Sequence, residues 1–257
     1  MEPVPSPRAR AVRLDQFLVD QGLCETREKA KRSILAGLVR INDQRADKAS
    51  RLVSAKDQVV VAEPERYVSR GGHKLEHALT TFNIQPHGWS VIDLGASTGG
   101  FTDCLLQHGA SRVAAVDVGH GQLAWKLRND PRVCCLEKTN ARHLTLASMP
   151  AEFHRCELAV IDCSFISLKL ILPVALNLVA EGGRIVALIK PQFEAGKEEV
   201  DRGEGVIRDP LIHERVLAEL REFADRIPST RWQAVTESPL LGPAGNKEFL
   251  VLIEKKL

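Results

Sequence analysis

From Trp89 onward, short apolar runs alternate with amphipathic stretches along the chain. The apolar runs predict strands at 90–94, 112–117, 132–137, 157–162, 184–190, 231–237 and 248–254, and the stretches between most of them carry helical spacing. Strand alternating with helix implies a parallel sheet covered by helices on both faces. The last two candidates differ. They are separated by a loop of about ten residues, too short for a crossover helix, so they should pair antiparallel. The predicted class is α/β: a doubly wound, Rossmann-like sheet, mostly parallel, with its last strand reversed.

The first 62 residues follow another pattern. Leu14, Phe17 and Leu18 recur at i, i+3 and i+4, predicting a short helix that ends by Gly22. Thr26 is placed to cap a second helix, with Ala30, Ile34 and Leu35 as its apolar face, and Gly37 stops it. Leu38 to Asn42 alternates as a strand does, and Val59 to Val61 forms another run. Residues 13–62 therefore read as a small α+β domain. Residues 1–12 hold three prolines without periodicity and read as a flexible arm; residues 63–72 are polar, with Pro64 and paired glycines, and read as a linker. The large domain is expected over 73–257. It opens with a helix whose apolar positions are Leu75, Leu79 and Phe82, with Lys74, His77 and Thr81 on another face. Lys74 falls in the first turn, where a cation opposes the helix dipole. That is odd for a structural residue and points toward function, although a surface lysine would look the same.

The net charge of +2 conceals an asymmetry. Residues 1–64 carry 12 Lys and Arg against 9 Asp and Glu, while the rest is slightly acidic. A modestly basic N-terminal part fits nucleic acid without proving it. The cysteines (Cys24, Cys104, Cys134, Cys135, Cys156 and Cys163) show no C-x-x-C or Cys/His spacing, so neither a metal nor a disulfide framework is indicated. They suit reduced cytosolic thiols. The Pro- and Arg-rich start lacks the apolar core of a signal peptide. The longest apolar run, Leu170 to Ala180, is interrupted by Asn177 and too short for a bilayer, which disfavours a membrane protein.

Candidate chemistry concentrates at the predicted strand ends. Val91-Ile92 runs into Asp93, a Gly-rich turn follows from Gly95 to Gly100, and an amphipathic stretch starts at Phe101. In such a strand–turn–helix, glycines admit close backbone approach and the helix N-terminus offers free N–H groups to an anion. The D-x-G-x-S-x-G-G-F spacing is not the dinucleotide fingerprint G-x-G-x-x-G. Asp93, Asp117, Asp162 and Lys190 all close candidate strands, and the ends of parallel strands share the edge where ligands bind. Asp117 is spaced like the acid that takes ribose hydroxyls, though a turn-capping Asp would also sit there. If the last strand is reversed, Glu248 starts at that same edge. Beyond Lys190-Pro191 lies a charged stretch, Ala195 to Gly205, which reads as a lid, a substrate loop or a solvated insertion.

The glycine turn resembles the first motif of S-adenosylmethionine-dependent methyltransferases, where the anion is the methionine carboxylate. That resemblance assigns the cofactor to Asp93, Gly95, Ser97, Gly99, Gly100 and Asp117, with Asn140 near the adenine. Arg13-Leu-Asp-x-Phe-Leu, followed by Thr26-Arg-Glu-Lys-Ala-Lys-Arg-x-Ile-x-Ala-Gly-x-Val-x-Ile-Asn42, resembles the S-four domain, an RNA-binding module. It implies RNA contact through Arg13, Arg27, Lys31, Arg32 and Arg40, charges that would otherwise read as a solvated face. Five motifs occur in order behind it: Tyr67-Val-Ser-Arg-Gly-Gly-His-Lys-Leu75, Asp93 to Asp103, Ile161-Asp-Cys-Ser-Phe-Ile-Ser-Leu168, Leu188-Ile-Lys-Pro-Gln-Phe-Glu194 and Gly245-Asn-Lys-Glu-Phe249. Together they resemble the TlyA/haemolysin-A family of ribosomal RNA ribose methyltransferases. Their catalytic half is similar to the FtsJ/RrmJ enzymes, whose Lys-Asp-Lys-Glu tetrad falls on Lys74, Asp162, Lys190 and Glu248.

The resemblance implies methylation of a cytidine ribose 2′-OH in ribosomal RNA or ribosomal subunits, in the cytoplasm, with no metal and no membrane partner. The residue types suit that chemistry. The protein must align oxygen, carbon and sulfur and remove a proton. An ordinary lysine, with pKa about 10.4, is neutral only about once in a few thousand at pH 7. A second lysine, the sulfonium charge and partial burial would depress it. Lys190 is the expected base or orienter of the 2′-OH with Lys74 beside it, and Asp162 and Glu248 hold the lysines. Asp162-Cys-Ser-Phe165 lacks the prolines of amino methyltransferases, and no Pro-Cys motif makes Cys163 a nucleophile. A non-catalytic ribosome-binding or assembly factor on the same fold is the second reading. A membrane-lytic toxin is suggested only by the family's historical name.

Overall fold

The computed structural model describes residues 11–63, 65–228 and 230–256. The arm expected over 1–12 lies outside them except for its last two residues. The chain divides into two compact units between Arg66 and Tyr67.

In the first unit, β1 (Val12–Arg13) leads into α1 (Leu14–Asp20) and α2 (Arg27–Leu35), followed by β2 (Val39–Ile41), β3 (Gln44–Arg45), β4 (Leu52–Val53) and β5 (Val59–Val61). Strand β2 lies between β3 and β5, antiparallel to both, and β1 pairs with β4. The Thr26 hydroxyl accepts from the Lys29 N–H at 3.2 Å and starts α2, and Gly37 leaves it at φ +75°. Leu14, Leu18, Ala30, Ile34, Val39 and Ile41 form the core. Leu35, expected on the apolar face of α2, is 75% exposed. Ala30 and Ile34 are one helical turn apart, and the next residue is rotated by about 100° out of that face.

The second unit begins with α3 (Gly71–Thr81) and continues β6 (Ser90–Leu94), α4 (Gly100–Gln107), β7 (Arg112–Val116), α5 (Trp125–Arg128), β8 (Val133–Leu136), β9 (Cys156–Ile161), α6 (Leu168–Leu178), β10 (Val179–Ile189), α7 (Pro191–Glu194), α8 (Lys197–Arg202), α9 (Pro210–Asp225), β11 (Thr230–Glu237) and β12 (Phe249–Lys255). Its seven strands run in the order β11-β12-β10-β9-β6-β7-β8. Only β12 is reversed, antiparallel to both β10 and β11. Successive residues feed opposite faces: Ile92 and Ala114 pack beneath α6 and α9, whereas Val91 and Val113 pack beneath α3 and α4. The fold is thus α/β as predicted, with the last strand reversed.

The expected linker 63–72 needs correction. Tyr67 is 1% exposed and belongs to the core of the second unit. The Val68 N–H donates to Asp103 Oδ2 at 2.8 Å, and α3 starts at Gly71. A side chain on Gly72 would collide with the Tyr67 ring. Gly72 therefore serves close packing of a helix start, not a free connection.

Candidate active site at the carboxyl edge of the sheet

The reversed strand brings residues from distant parts of the chain to one edge. At the end of β6 the chain turns through Gly95, at φ +90°; a Cβ there would lie 2.7 Å from the Asp162 carbonyl oxygen. Ser97 also takes a left-handed conformation, at φ +49°. Its N–H donates to Asp117 Oδ2 at 2.8 Å, and the Gly119 N–H donates to Asp117 Oδ1 at 2.7 Å. Asp117 thereby ties the glycine turn to the loop after β7. Gly95, Ser97, Asp117 and Asn140 line one cavity of about 470 Å³, with Ile166 and Ile171 on its apolar side. Asn140 also caps a short turn, accepting from the Arg142 N–H at 3.0 Å.

Three residues expected at the cofactor lie outside this cavity: Gly99, Asp93 and Gly100, the last on the larger cavity described below. Gly99, at φ +95°, does not line the cavity; a side chain there would run into Leu123 and Leu127. Asp93 is fully buried one residue before the end of β6. Its Oδ2 accepts from the Thr102 hydroxyl at 2.7 Å, while Oδ1 has no hydrogen-bond partner. Burial pushes this carboxyl up to about 7, and the neighbouring Asp162 adds to the shift.

Lys74, Asp162, Lys190 and Glu248 line a larger cavity, of about 950 Å³, together with Gly100. Strands β9 and β10 are parallel neighbours, so Asp162 and Lys190 just beyond them emerge side by side. Lys190 Nζ lies 2.6 Å from Asp162 Oδ1, an ion pair out of line for a hydrogen bond, and donates to Ser164 Oγ at 2.9 Å. Lys74 Nζ donates to Glu248 Oε2, and Glu248 Oε1 has no hydrogen-bond partner. Both lysines are 8% exposed and Glu248 is 1% exposed. Buried ions persist where each faces an opposite charge, and here the pairing is complete. The Lys74 cation that opposes its helix dipole is matched by Glu248. The two cavities share Gly95, Ser97, Asp162, Ser164 and Phe165.

Burial pushes the Cys163 thiol up to about 12 and Sγ donates to the Leu94 carbonyl at 3.5 Å, both of which disfavour it as a nucleophile. Several site residues carry no sequence signal of their own. Ser164 stands inside one of the five motifs, but nothing in the spacing marks a lysine partner. Phe165 is 90% exposed at φ +62°, with its ring 5.0 Å from that of Phe193. From sequence, a phenylalanine after a strand reads as core.

The five basic residues expected on RNA divide in the first unit. Arg13 and Arg27 both reach the buried Asp15, with Arg13 Nε at 3.0 Å and Arg27 Nη2 at 2.9 Å. Lys31 pairs with Glu28 at 2.9 Å on the same helix, and Arg40 donates to the Asp43 carbonyl at 3.3 Å. Arg32 is exposed. The basic face is therefore partly committed to the fold.

Strand order, reversed strand and glycine turn define a doubly wound α/β fold with its ligand edge at the carboxyl ends of the parallel strands. The comparisons agree. Residues 67–255 match the FtsJ-like methyltransferase family, and residues 12–59 match the S4 domain. The 16S/23S rRNA (cytidine-2′-O)-methyltransferase TlyA of Mycobacterium tuberculosis is 47% identical over 248 residues, covering 95% of this chain and 90% of that protein. Hemolysin A of Brachyspira hyodysenteriae is 40% identical over 241 residues, 93% of this chain and 98% of that one. A solved structure from Streptococcus thermophilus, described as a hemolysin, is 45% identical with a TM-score of 0.72, covering 97% of this chain and 90% of that one. The chain belongs to the TlyA/haemolysin-A group of FtsJ-like methyltransferases. Among the described residues, no helix is long and apolar enough to cross a membrane.

Proposed function

We propose that this chain is a ribosomal RNA methyltransferase that transfers a methyl group from S-adenosylmethionine to the ribose 2′-OH of a cytidine. The observation that carries the reading is the junction of the two cavities: one lined by Asp117 and Asn140, the other by two lysine–carboxylate pairs, meeting at Gly95 and Asp162. The smaller cavity fits the cofactor. Asp117 offers a carboxylate to ribose hydroxyls beside apolar side chains suited to a purine, and the glycine turn leaves open backbone where a Cβ would intrude. Asn140 stands by the adenine, and Asp93 and Gly99 support the turn from behind. S-adenosylmethionine supplies an electrophilic methyl when bound.

The larger cavity takes the acceptor nucleotide. Lys190, held in place by Asp162 and Ser164, orients the 2′-oxygen and, after losing its own ammonium proton to solvent, receives the hydroxyl proton. Lys74, fixed by Glu248, adds a second positive charge that favours the developing oxyanion. Phe165, exposed, and the half-buried Phe193 beside it offer aromatic faces to a base. Arg13, Arg27, Lys31, Arg32 and Arg40 of the N-terminal module supply affinity for RNA phosphates. The substrate places the enzyme in the cytoplasm, on ribosomal RNA or ribosomal subunits. Two lysine–carboxylate pairs gathered at one cleft, with Lys74, Lys190 and Glu248 nearly buried, disfavour the reading as a non-catalytic assembly factor.

The test is transfer of a labelled methyl group from S-adenosylmethionine to ribosomal subunits, followed by mapping of 2′-O-methyl positions. The expected result is label on a cytidine ribose. No transfer to any ribosomal RNA would reject the reading; label on a base would reject the acceptor atom.

A further inference from the structure

The charged stretch after Lys190 proves to be a wall of the acceptor cavity. Val200, on α8, and Gly205, just after it, line the 950 Å³ cavity and are absent from the lining of the smaller one. A wall formed by so short a helix and a loop has little core of its own, so something must hold it.

That fastening is Asn246. Its residue is 1% exposed, between β11 and β12 and two positions before Glu248. Its Oδ1 accepts from the Ile207 N–H at 2.8 Å and its Nδ2 donates to the Gly205 carbonyl at 2.9 Å. Its own carbonyl accepts from the Gly242 N–H at 2.9 Å, closing the loop that presents Glu248. A short amide suits such a fastening because it accepts at one tip and donates at the other, which a carboxylate or an alkyl group of that length cannot do. His213 adds a contact between its Nε2 and the Ile207 carbonyl at 3.0 Å, and Arg215 pairs with Glu199 of α8.

The geometry points to Asn246 as a positioning residue that latches the 199–207 wall to the Glu248 loop and so shapes the RNA side of the cleft. The inference rests on the reading of the larger cavity as the acceptor site. It separates two properties that a general loss of structure would move together. The wall touches only the acceptor cavity, so loosening it should alter RNA recognition and leave the cofactor alone.

The test uses the full chain with Asn246→Asp, which keeps volume and the Ile207 bond but turns the donor facing Gly205 into an acceptor. KM for ribosomal RNA should rise by up to about 10- to 100-fold, the range reached if the cost of spoiling one buried hydrogen bond falls on the position of the wall. The dissociation constant for S-adenosylmethionine should stay within about twofold, because the wall does not line its cavity. Amide hydrogen exchange should accelerate at residues 199–207 and not in β6, β9 or β10. Arg215→Ala, an exposed change that loosens α8 from outside, should move KM the same way by less. Unchanged exchange at 199–207 would sink the latch. So would faster exchange with an unchanged KM, or a fall in kcat alone. Wild-type chain run alongside separates the two readings: failure of the wild type to methylate RNA rejects the acceptor site itself, whereas a wild-type-like Asn246→Asp rejects only the latch.

Discussion

Asp15 in the first unit and Asp93 in the second are both closed off from solvent, yet they are driven in opposite directions. Hydrogen bonds from the Arg13 guanidinium, with Arg27 beside it, hold the Asp15 carboxyl down to about 2. Asp93 has a single hydroxyl donor, and burial pushes it up to about 7. The difference lies in what surrounds each acid. The small N-terminal unit uses two of its expected RNA-binding arginines to neutralise an acid in its own fold. The larger unit leaves an acid under-partnered beneath the glycine turn and sets two lysine–carboxylate pairs at a cleft. Charge in the first is partly architecture; under the proposed function, the two cleft pairs of the second serve chemistry.

The sharpest way to break that contrast is Lys190→Ala. If the cleft pairs serve chemistry, turnover should fall by about 10² to 10⁴, the range for a lost general base or orienting group. Binding of RNA and of cofactor should survive. Lys190→Arg should not rescue, because a guanidinium stays protonated and is planar and bulkier. Combining Lys190→Ala with Lys74→Ala or Glu248→Ala should be less than additive if the four act as a unit. Single-turnover rates near wild type, with the fold intact, would place these pairs with Asp15 as architecture.

Asp93→Asn addresses the buried acid itself. In the folded chain its carboxyl holds a proton up to about 7, against a reference near 3.8. The folded state therefore binds more protons than the unfolded state between those values. The sign follows: Asp93 makes stability fall as pH rises from about 4 to about 7, by up to about 1.4 kcal/mol per pH unit. Asp15 acts in the opposite sense, its stabilisation being lost as pH drops from about 4 toward about 2. Urea unfolding of the second unit at several pH values should show a smaller downward slope for Asp93→Asn. Parallel slopes for variant and wild type would mean that Asp93 is ionised in the fold.

A smaller effect is expected at Asp117. Both of its oxygens already hold loop N–H groups, so Asp117→Ala loosens the turn as well as removing a partner for ribose hydroxyls. Affinity for S-adenosylmethionine should fall by about tenfold, equivalent to about 1.4 kcal/mol. Calorimetry with unchanged affinity and an intact fold would remove Asp117 from the cofactor site.

The contrast between the two acids also marks where the sequence is legible. Strand periodicity, the missing crossover before β12 and the polar strand ends are local signals, and they place Asp117, Asp162, Lys190 and Glu248 on one edge. Burial depth is not local. Nothing near Asp93 reveals that its side chain turns toward Thr102 instead of the cleft. Tyr67 sits in a polar stretch with Pro and Gly, so a segment that packs against Gly72 has the composition of a linker. The partners of Asn246 lie about 40 residues away, beyond any spacing rule. Likewise Arg13 and Arg27 carry the composition of an RNA surface, and only the structure shows the acid between them.

That last point yields the finest test, a comparison of Arg27→Ala with Arg32→Ala. Both are exposed on the same helix, but Arg27 reaches a fully buried carboxylate. Removing Arg27 leaves Asp15 with Arg13 alone, so the Asp15 carboxyl should titrate above about 2 and acid unfolding of the first unit should begin at higher pH. Arg32→Ala should leave both unchanged. If both arginines also meet phosphate, each variant should reduce the salt dependence of RNA binding by up to about one phosphate's worth. Cofactor affinity should be wild type in both. Carbon-detected NMR titration of Asp15, together with RNA binding across salt concentrations, reads the two properties separately. A titration midpoint unmoved in Arg27→Ala would show that Arg13 suffices for the buried acid. A salt slope unmoved in both variants would make this helix face a solvated surface and shift RNA affinity to other residues of the module.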